Sequence, residues 1–459
     1  MKQQLTDILA LPQLNAAWQG ESPPDRLSVT GWSTDSRRIK AGEGFVAVRG
    51  EKFDGHEYAL QALEQGAVAA MVSNTWFTQT DLPDTKPPLI TVPDTLKAYQ
   101  EIARHHRNQF NAAVVALTGS SGKTTTKEMI YSVLSRRYHV LRNIKSYNNH
   151  IGVPATLLQM NKKHEIAVLE MGTSNFGEIE RLSALARPDI CVLLNIGFAH
   201  LQNLRDLDGV CQAKLEICSH ANPQGTVIFN ADDQRLAAQS YPVSMQAGFG
   251  IDSKNGYTAE DLACDERGCY SFSFMNSRIK LPLPGRHNVY NALAAAVVGV
   301  RFCVPVQDIK AGLESLSGIQ DRMQVEWTEQ GVLMNDVYNS NPGSCLAAMR
   351  TAKDIHIPKG GRRIAVLADM LELGEFAQPE HEKLARRAKE NGFDLLLLYG
   401  KETRHTAKAA QTAGIETRHF EDQTALIKDL LKHMEPDDLV LIKGSRSMHM
   451  ENVVKALKH

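Results

Sequence analysis

The stretch TGSSGKTTTKE (residues 118–128) combines residue types that suit a polyphosphate. Gly119 and Gly122 let the backbone bend with its N–H groups turned inward, and Ser120 and Ser121 fill the turn between them. Lys123 supplies a cation for β- and γ-phosphate oxygens, and the hydroxyl of Thr124 or Thr125 reaches a Mg²⁺ bound there. Two residues separate the glycines, where the common G-x-x-x-x-G-K-[ST] loop has four. A turn that merely caps a helix is the plainer alternative. Against it stand the apolar run Ala112–Leu117 before the turn and the helical spacing of Met129, Ile130, Val133 and Leu134 after it. Alone, the loop specifies a nucleoside triphosphate and not a reaction.

Further polar residues fall where strands end. Glu170 closes EIAVLE, Asn195 and His200 follow DICVLL, and Asn230, Asp232 and Asp233 end VIFNADD. Lys214 and Glu216 lie in the helical CQAKLEI. Taken singly, each is better read as a cap or a solvated group. Together they share the sheet edge that presents the phosphate loop, where ligands of open α/β sheets bind. Glu170 and His200 offer O and N donors for Mg²⁺. GRHNVYN (285–291) sets Asn288 and Asn291 on one helix face, suited either to capping or to reading a base or ribose. NDVYNSNPGS (335–344) crowds Asp336, Tyr338, Asn339, Asn341 and Pro342 into one turn.

These residues need a scaffold, and hydrophobic patterning supplies three regions. Residues 1–108 alternate short segments with Gly and Pro punctuation, as a small α/β domain does, and close with a helix from Asp94 to Phe110. Residues 109–318 alternate short apolar runs with helical patterns, which predicts a mostly parallel sheet covered on both faces, followed by an Ala-rich helix over 287–302. Residues 319–459 repeat the alternation in RRIAVLADM, FDLLLLYG and DDLVLIKGS, a second Rossmann-like unit. The fold class expected is therefore α/β in three domains. At about 150 residues per domain, 459 residues agree with that count.

Lys plus Arg number 51 and Asp plus Glu 52, for a net charge of -1, which argues against a surface that coats nucleic acid or membrane. No apolar run reaches the ~18 residues of a membrane span, and the N-terminus lacks a signal-peptide pattern. The seven cysteines are scattered and form no CxxC pair, as in a reduced cytoplasmic protein.

Taken in order, the motifs resemble the Mur ligase family across essentially the whole chain. They are STDSR (33–37), GFVAVRGEKFDGH (44–56), TGSSGKTTTKE, SYNNHIGVPATLL (146–158), LEMG (169–172), NIGFAHL (195–201), AKLEI (213–217), PGRHNVYNALAA (284–295), DRM (321–323), DVYNSNPGS (336–344), LADMLELG (367–374) and KGSRSMHMENVV (443–454). The resemblance implies an N-terminal domain for a uridine nucleotide, a central ATPase domain and a C-terminal Rossmann-like domain. It implies ATP-dependent amide formation between UDP-N-acetylmuramoyl-tripeptide and D-alanyl-D-alanine through an acyl phosphate. That is a cytoplasmic step of peptidoglycan synthesis, and so of cell shape and division. A monomer is expected.

Carried onto this sequence, the resemblance has Gly119 through Thr125 cradle ATP with Lys123 on its phosphates. Thr124 and Glu170 hold one Mg²⁺ and His200 a second, and Lys214 matches a position carbamylated in the family. Asn288, Asn291, Arg322 and Asp336 contact adenosine or phosphate. Thr34, Asp35, Ser36, Arg37, Asp54 and His56 lie on the UDP-muramoyl-peptide path. Tyr338, Asn339, Asn341 and Pro342, with Leu371, Glu372 and Leu373, form the peptide and dipeptide end. His150 and Leu215 depart from the family pattern, which more often has an acidic and a small residue there. Two alternatives remain: a paralogue adding another amino acid, against which no DNPR-like segment appears, and a P-loop NTPase acting as a switch, which leaves the outer regions without a use.

Overall fold

Strand and helix alternate in the order that the apolar runs predict, and the result is an α/β architecture built on three main sheets. The computed structural model describes residues 3–50, 53–253, 256–318, 321–328 and 331–458. The expected boundary at 318/319 runs into residues 319–320, outside the described residues.

The first sheet has five strands in the order Ala17–Trp18, Leu89–Val92, Ala69–Ser73, Gly44–Val46, Trp32–Ser33, the last four parallel. Its strands are short, as the dense Gly and Pro punctuation requires. The helix expected from Asp94 spans Thr95–Arg107, and the Asp94 carboxylate accepts from Lys97 N at 3.0 Å. Tyr99, Ile102 and Ala103 on its inner face join one apolar core that extends from this sheet into the next.

The central sheet is parallel throughout, with seven strands in the order Tyr257–Thr258, Met245–Gly250, Thr226–Asn230, Ile190–Leu193, Ala113–Thr118, Ile166–Glu170, Val140–Arg142. The chain leaves Ala113–Thr118 toward one edge and later returns to extend the sheet toward the other. That strand is the topological switch point, where a crevice opens beyond the carboxyl ends. Both faces are covered. The helix His287–Arg301 is buried on nearly every side over Ala292–Gly299, which explains a pattern apolar all round rather than striped.

The third sheet has six strands in the order Gln324–Thr328, Gly331–Asp336, Leu439–Lys443, Arg363–Ala368, Leu395–Tyr399, Glu416–Phe420; only the first pair is antiparallel. Two features differ from the sequence-based expectation. Strands Glu260–Cys264, Cys269–Phe274 and Ser277–Pro284 form a separate antiparallel sheet, and Gln324–Thr328 pairs as an antiparallel edge. Alternating, half-exposed strands carry a weaker signal than the continuous apolar runs of a buried parallel sheet.

Candidate active site

The carboxyl edge of the central sheet faces that of the third sheet across a cavity of about 770 Å³. The phosphate loop forms one wall. Gly122 has φ +81°, and a Cβ there would lie 2.5 Å from Asn291 Oδ1, so only glycine fits. Asn195 braces the turn: its carbonyl accepts from Ser120 N at 3.0 Å, its side-chain oxygen from Ser121 N at 2.9 Å, and its amide donates to Ser121 O at 3.1 Å. Ser120 Oγ is tied to Gly197. Lys123 donates to Gly119 O at 2.8 Å, folded back over its own loop. Burial lowers its pKa, with Glu170 opposing that shift and Arg322 adding to it.

Glu170, at the end of its strand, is 1% exposed. Asn143 clamps its backbone from both sides, and Asn148 donates to Oε1 at 2.7 Å. Its Oε2 makes no hydrogen bond, and neither does the buried Thr124 Oγ1. Two buried oxygens without donors, near a lysine and inward-facing N–H groups, fit a hard divalent cation that a triphosphate brings with it. Among the described residues no group of three His, Cys, Asp or Glu side chains could hold a metal alone. Phosphate oxygens and water would have to complete the shell, as Mg²⁺ prefers.

His200 lines the cavity with φ +55°, and its Nδ1 lies 2.5 Å from Glu372 Oε2 of the third sheet's loops. That hydrogen bond lowers the Glu372 pKa and leaves Nε2 as the nitrogen outside the contact. Lys214 is 1% exposed, and no hydrogen bond or ion pair joins its side chain to a described residue. Burial first, and then the like charge of Lys123, hold its pKa well below the usual lysine value. Glu216 does not reach this amine. It caps the helix Glu178–Ala186, accepting from Gly177 N at 2.7 Å and Glu180 N at 3.2 Å.

The opposite wall carries Arg322, stacked 3.7 Å over the Tyr338 ring, with Asn339 and Asn341 nearby. Asn341 reaches Ser121 Oγ at 3.4 Å across the cleft and caps the helix Pro342–Asp354 in a capping box. Asn288 and Asn291 line the cavity, and their amides are used internally. Asn288 donates to Pro284 O at 2.7 Å, while Asn291 donates to Asn288 at 2.9 Å and accepts from Thr126 at 3.1 Å. His287, at the cavity wall, is held neutral by burial, its pKa lowered to about 4.

The N-terminal candidates lie outside this cavity, at the carboxyl edge of the first sheet. Asp35 binds Arg37 at 2.8 Å, and Asp54 binds His56 at 2.5 Å while Ser73 N donates to His56 Nε2 at 3.0 Å. His56 is thus spent on joining two loops. Thr34 and Ser36 complete the same loop. Leu371, Glu372 and Leu373 follow the Arg363–Ala368 strand, with Leu371 38% exposed and Leu373 buried.

Three residues of this site escaped the sequence reading. Lys127 is fully buried, 2.6 Å from Lys145 O, 3.4 Å from Glu128 and 3.6 Å from Glu170 Oε2. Its signal was the i, i+4 spacing from Lys123. Asn143 offered none. Lys443, a charged end to an otherwise apolar strand, was legible in principle.

A phosphate loop at the switch point of a parallel sheet, faced by a second Rossmann-like sheet with an arginine, defines an ATP-using enzyme of the P-loop α/β class. Three family models match the chain: Mur ligase family, catalytic domain over residues 28–107; Mur ligase middle domain over 117–299; and Mur ligase, glutamate ligase domain over 321–446. The UDP-N-acetylmuramoyl-tripeptide–D-alanyl-D-alanine ligase of Escherichia coli K12 is 37% identical over 99% of this chain and 97% of its own. That of Bacillus subtilis 168 is 34% identical over 94% of each. Among solved structures, MurF from Acinetobacter baumannii superposes with a TM-score of 0.89 at 30% identity, covering 100% of this chain and 99% of its own. MurF from Thermotoga maritima in complex with ADP gives 0.80 at 28% identity over 93% and 97%. The chain belongs to the Mur ligase family.

Proposed function

We infer that this chain is the ATP-dependent ligase that joins D-alanyl-D-alanine to UDP-N-acetylmuramoyl-tripeptide, completing the peptidoglycan pentapeptide precursor. The observation that carries this is a cavity in which a phosphate loop meets Arg322 and Tyr338 from a second sheet, in a chain related end to end to such ligases.

The tripeptide's terminal carboxylate attacks the γ-phosphorus of ATP. A carboxylate O–P bond forms as the bond to the bridging oxygen breaks, and ADP leaves. The dipeptide amine then attacks the acyl carbon, loses its proton, and expels phosphate. Anions converge in the first step, so Lys123 and Arg322 are assigned to the phosphoryl oxygens. Gly119 to Thr125 cradle the phosphates. Thr124 and Glu170 would hold one Mg²⁺ and His200, oriented by Glu372, a second. The cations supply charge neutralisation on the phosphoryl group. Lys214, an unpartnered amine with a lowered pKa, is the group suited to react with CO₂, and carbamylation would turn it into an anion. Asn288, Asn291 and Asp336 serve the adenosine side, with the Asn291 side chain lying so close over Gly122 that the loop admits no Cβ there.

One substrate is assigned to each region: the uridine substrate to 1–108, ATP to 109–318 and the dipeptide to 319–459. Thr34, Asp35, Ser36, Arg37, Asp54 and His56 shape the first site, the last two by fixing its loops. Tyr338, Asn339, Asn341, Pro342 and Leu371 to Leu373 shape the third. A monomer in the cytoplasm, where ATP and the UDP-linked substrate occur, completes the proposal. The test is ADP and phosphate release, expected only when both tripeptide substrate and dipeptide are present. Rapid hydrolysis with neither would leave a simple NTPase. Parallel assays with diaminopimelate and lysine tripeptides identify the acceptor.

A further inference from the structure

Lys443 is 2% exposed, yet it ends the apolar strand Leu439–Lys443 in the middle of the third sheet. A lysine this deep needs partners, and it has two. Its Nζ donates to Asp336 Oδ2 at 2.5 Å and to Asn339 O at 2.8 Å. Asp336 and Lys443 are register partners on adjacent parallel strands, so the pair closes the carboxyl ends of both. The other carboxylate oxygen, Asp336 Oδ1, accepts from Met323 N at 3.1 Å. Two turns that approach from different elements, 321–323 and 336–341, are thereby fastened to one ammonium group. The first bears Arg322 and the second Tyr338, whose ring supports the guanidinium. The cavity is lined by Arg322, Tyr338, Asn339 and Asn341 from these turns.

We propose that Lys443 is a positioning residue for nucleotide binding: through Asp336 and Asn339 O it holds the Arg322–Tyr338 pair against the phosphate-loop wall. Arg322 has no carboxylate partner of its own among the described residues, so its placement depends on the turn beneath it and on the Tyr338 ring. The proposal rests on the cavity being the nucleotide site.

The experiment uses the full chain, with ADP affinity measured by calorimetry and KM measured for ATP and dipeptide separately. Lys443→Met is expected to weaken ADP binding and raise the ATP KM by about tenfold or more, the scale of a lost charged hydrogen bond, with a smaller change in dipeptide KM. Lys443→Arg, which keeps the charge, is expected to recover part of the loss. Loss of fold in the Met variant is met by Asp336→Asn and the double variant Lys443→Met/Asp336→Asn, which leaves no unpaired buried charge. If Lys443 acts through Asp336, the Met change costs clearly less ADP affinity in the Asn background than alone or, where the single variant does not fold, less than about threefold. Unchanged ADP affinity in a folded Lys443→Met protein overturns the proposal, as does a full tenfold cost in the Asn background. Failure of the parent protein to bind ADP instead overturns the reading of the cavity.

Discussion

Two corners of the central region each bury a lysine completely, and they treat it in opposite ways. At the Glu170 corner, Lys127 is partnered: it donates to Lys145 O and forms ion pairs with Glu128 and Glu170. At the other corner, Lys214 has no partner among the described residues, and after burial the charge effects on it are the repulsion of Lys123 and the weaker pull of Glu216 and Glu178. Burial of an ion is tolerated when paired, and otherwise the group sheds its charge. Lys127 is therefore a structural cation that shapes a carboxylate. Lys214, with its pKa pushed well below the usual lysine value by burial, is biased toward the neutral amine. Lys123 stands between the corners, drawn by Glu170 and raising the cost of a charge at Lys214.

Removing that link has the largest effect. Lys123→Ala is expected to lower kcat by at least about 10³, because the transferring phosphoryl group loses its main side-chain cation. Near-normal ADP release with both substrates would refute that role. Lys214→Ala is expected to lower kcat by about 10², with partial recovery on adding short carboxylic acids that place an anion in the vacated space. Loss of activity that no carboxylate restores, together with an unmodified Lys214 by mass spectrometry, would argue against a carbamate.

The two corners were not equally legible. Lys123 stood out because strand, glycine turn and helix together leave few other uses for a lysine there. Lys214 was read from the sequence only as a polar residue of the helix near that sheet edge, and its role came from resemblance alone, since nothing in CQAKLEI announces an amine with no partner; that fact is created by packing. Glu170 was legible as a polar end to an apolar strand, whereas its clamp by Asn143 and Asn148 depends on a loop between strands whose conformation no periodicity encodes. The parallel sheets were readable for the same reason as Lys123: continuous apolar runs have one stable use. The antiparallel strands between 260 and 284, half exposed, did not announce themselves.

Stability separates the two lysines more sharply than activity does. Lys127→Met removes one member of a buried ionic cluster and leaves Glu170 facing an apolar group. A loss of about 3 kcal/mol in denaturant unfolding is expected. An unchanged midpoint would mean that the cluster does not hold Glu170.

Lys214→Met should act in the other direction. The folded-state pKa of Lys214 lies below the usual 10.5. Between those two values the unfolded chain binds a proton that the folded chain does not, so this residue makes stability rise with pH across that window. Methionine removes the cost of keeping a neutral amine in the core. In CO₂-free buffer the variant is expected to exceed its parent by roughly 1 kcal/mol at pH 7, with the gap narrowing toward pH 10.5. A variant less stable than the parent at every pH would show that Lys214 has a partner in solution, and the contrast with Lys127 would fall. Repeating the scan with bicarbonate present sharpens the same point, because a carbamate that forms only on the folded parent stabilises it and should reverse the order of the two proteins.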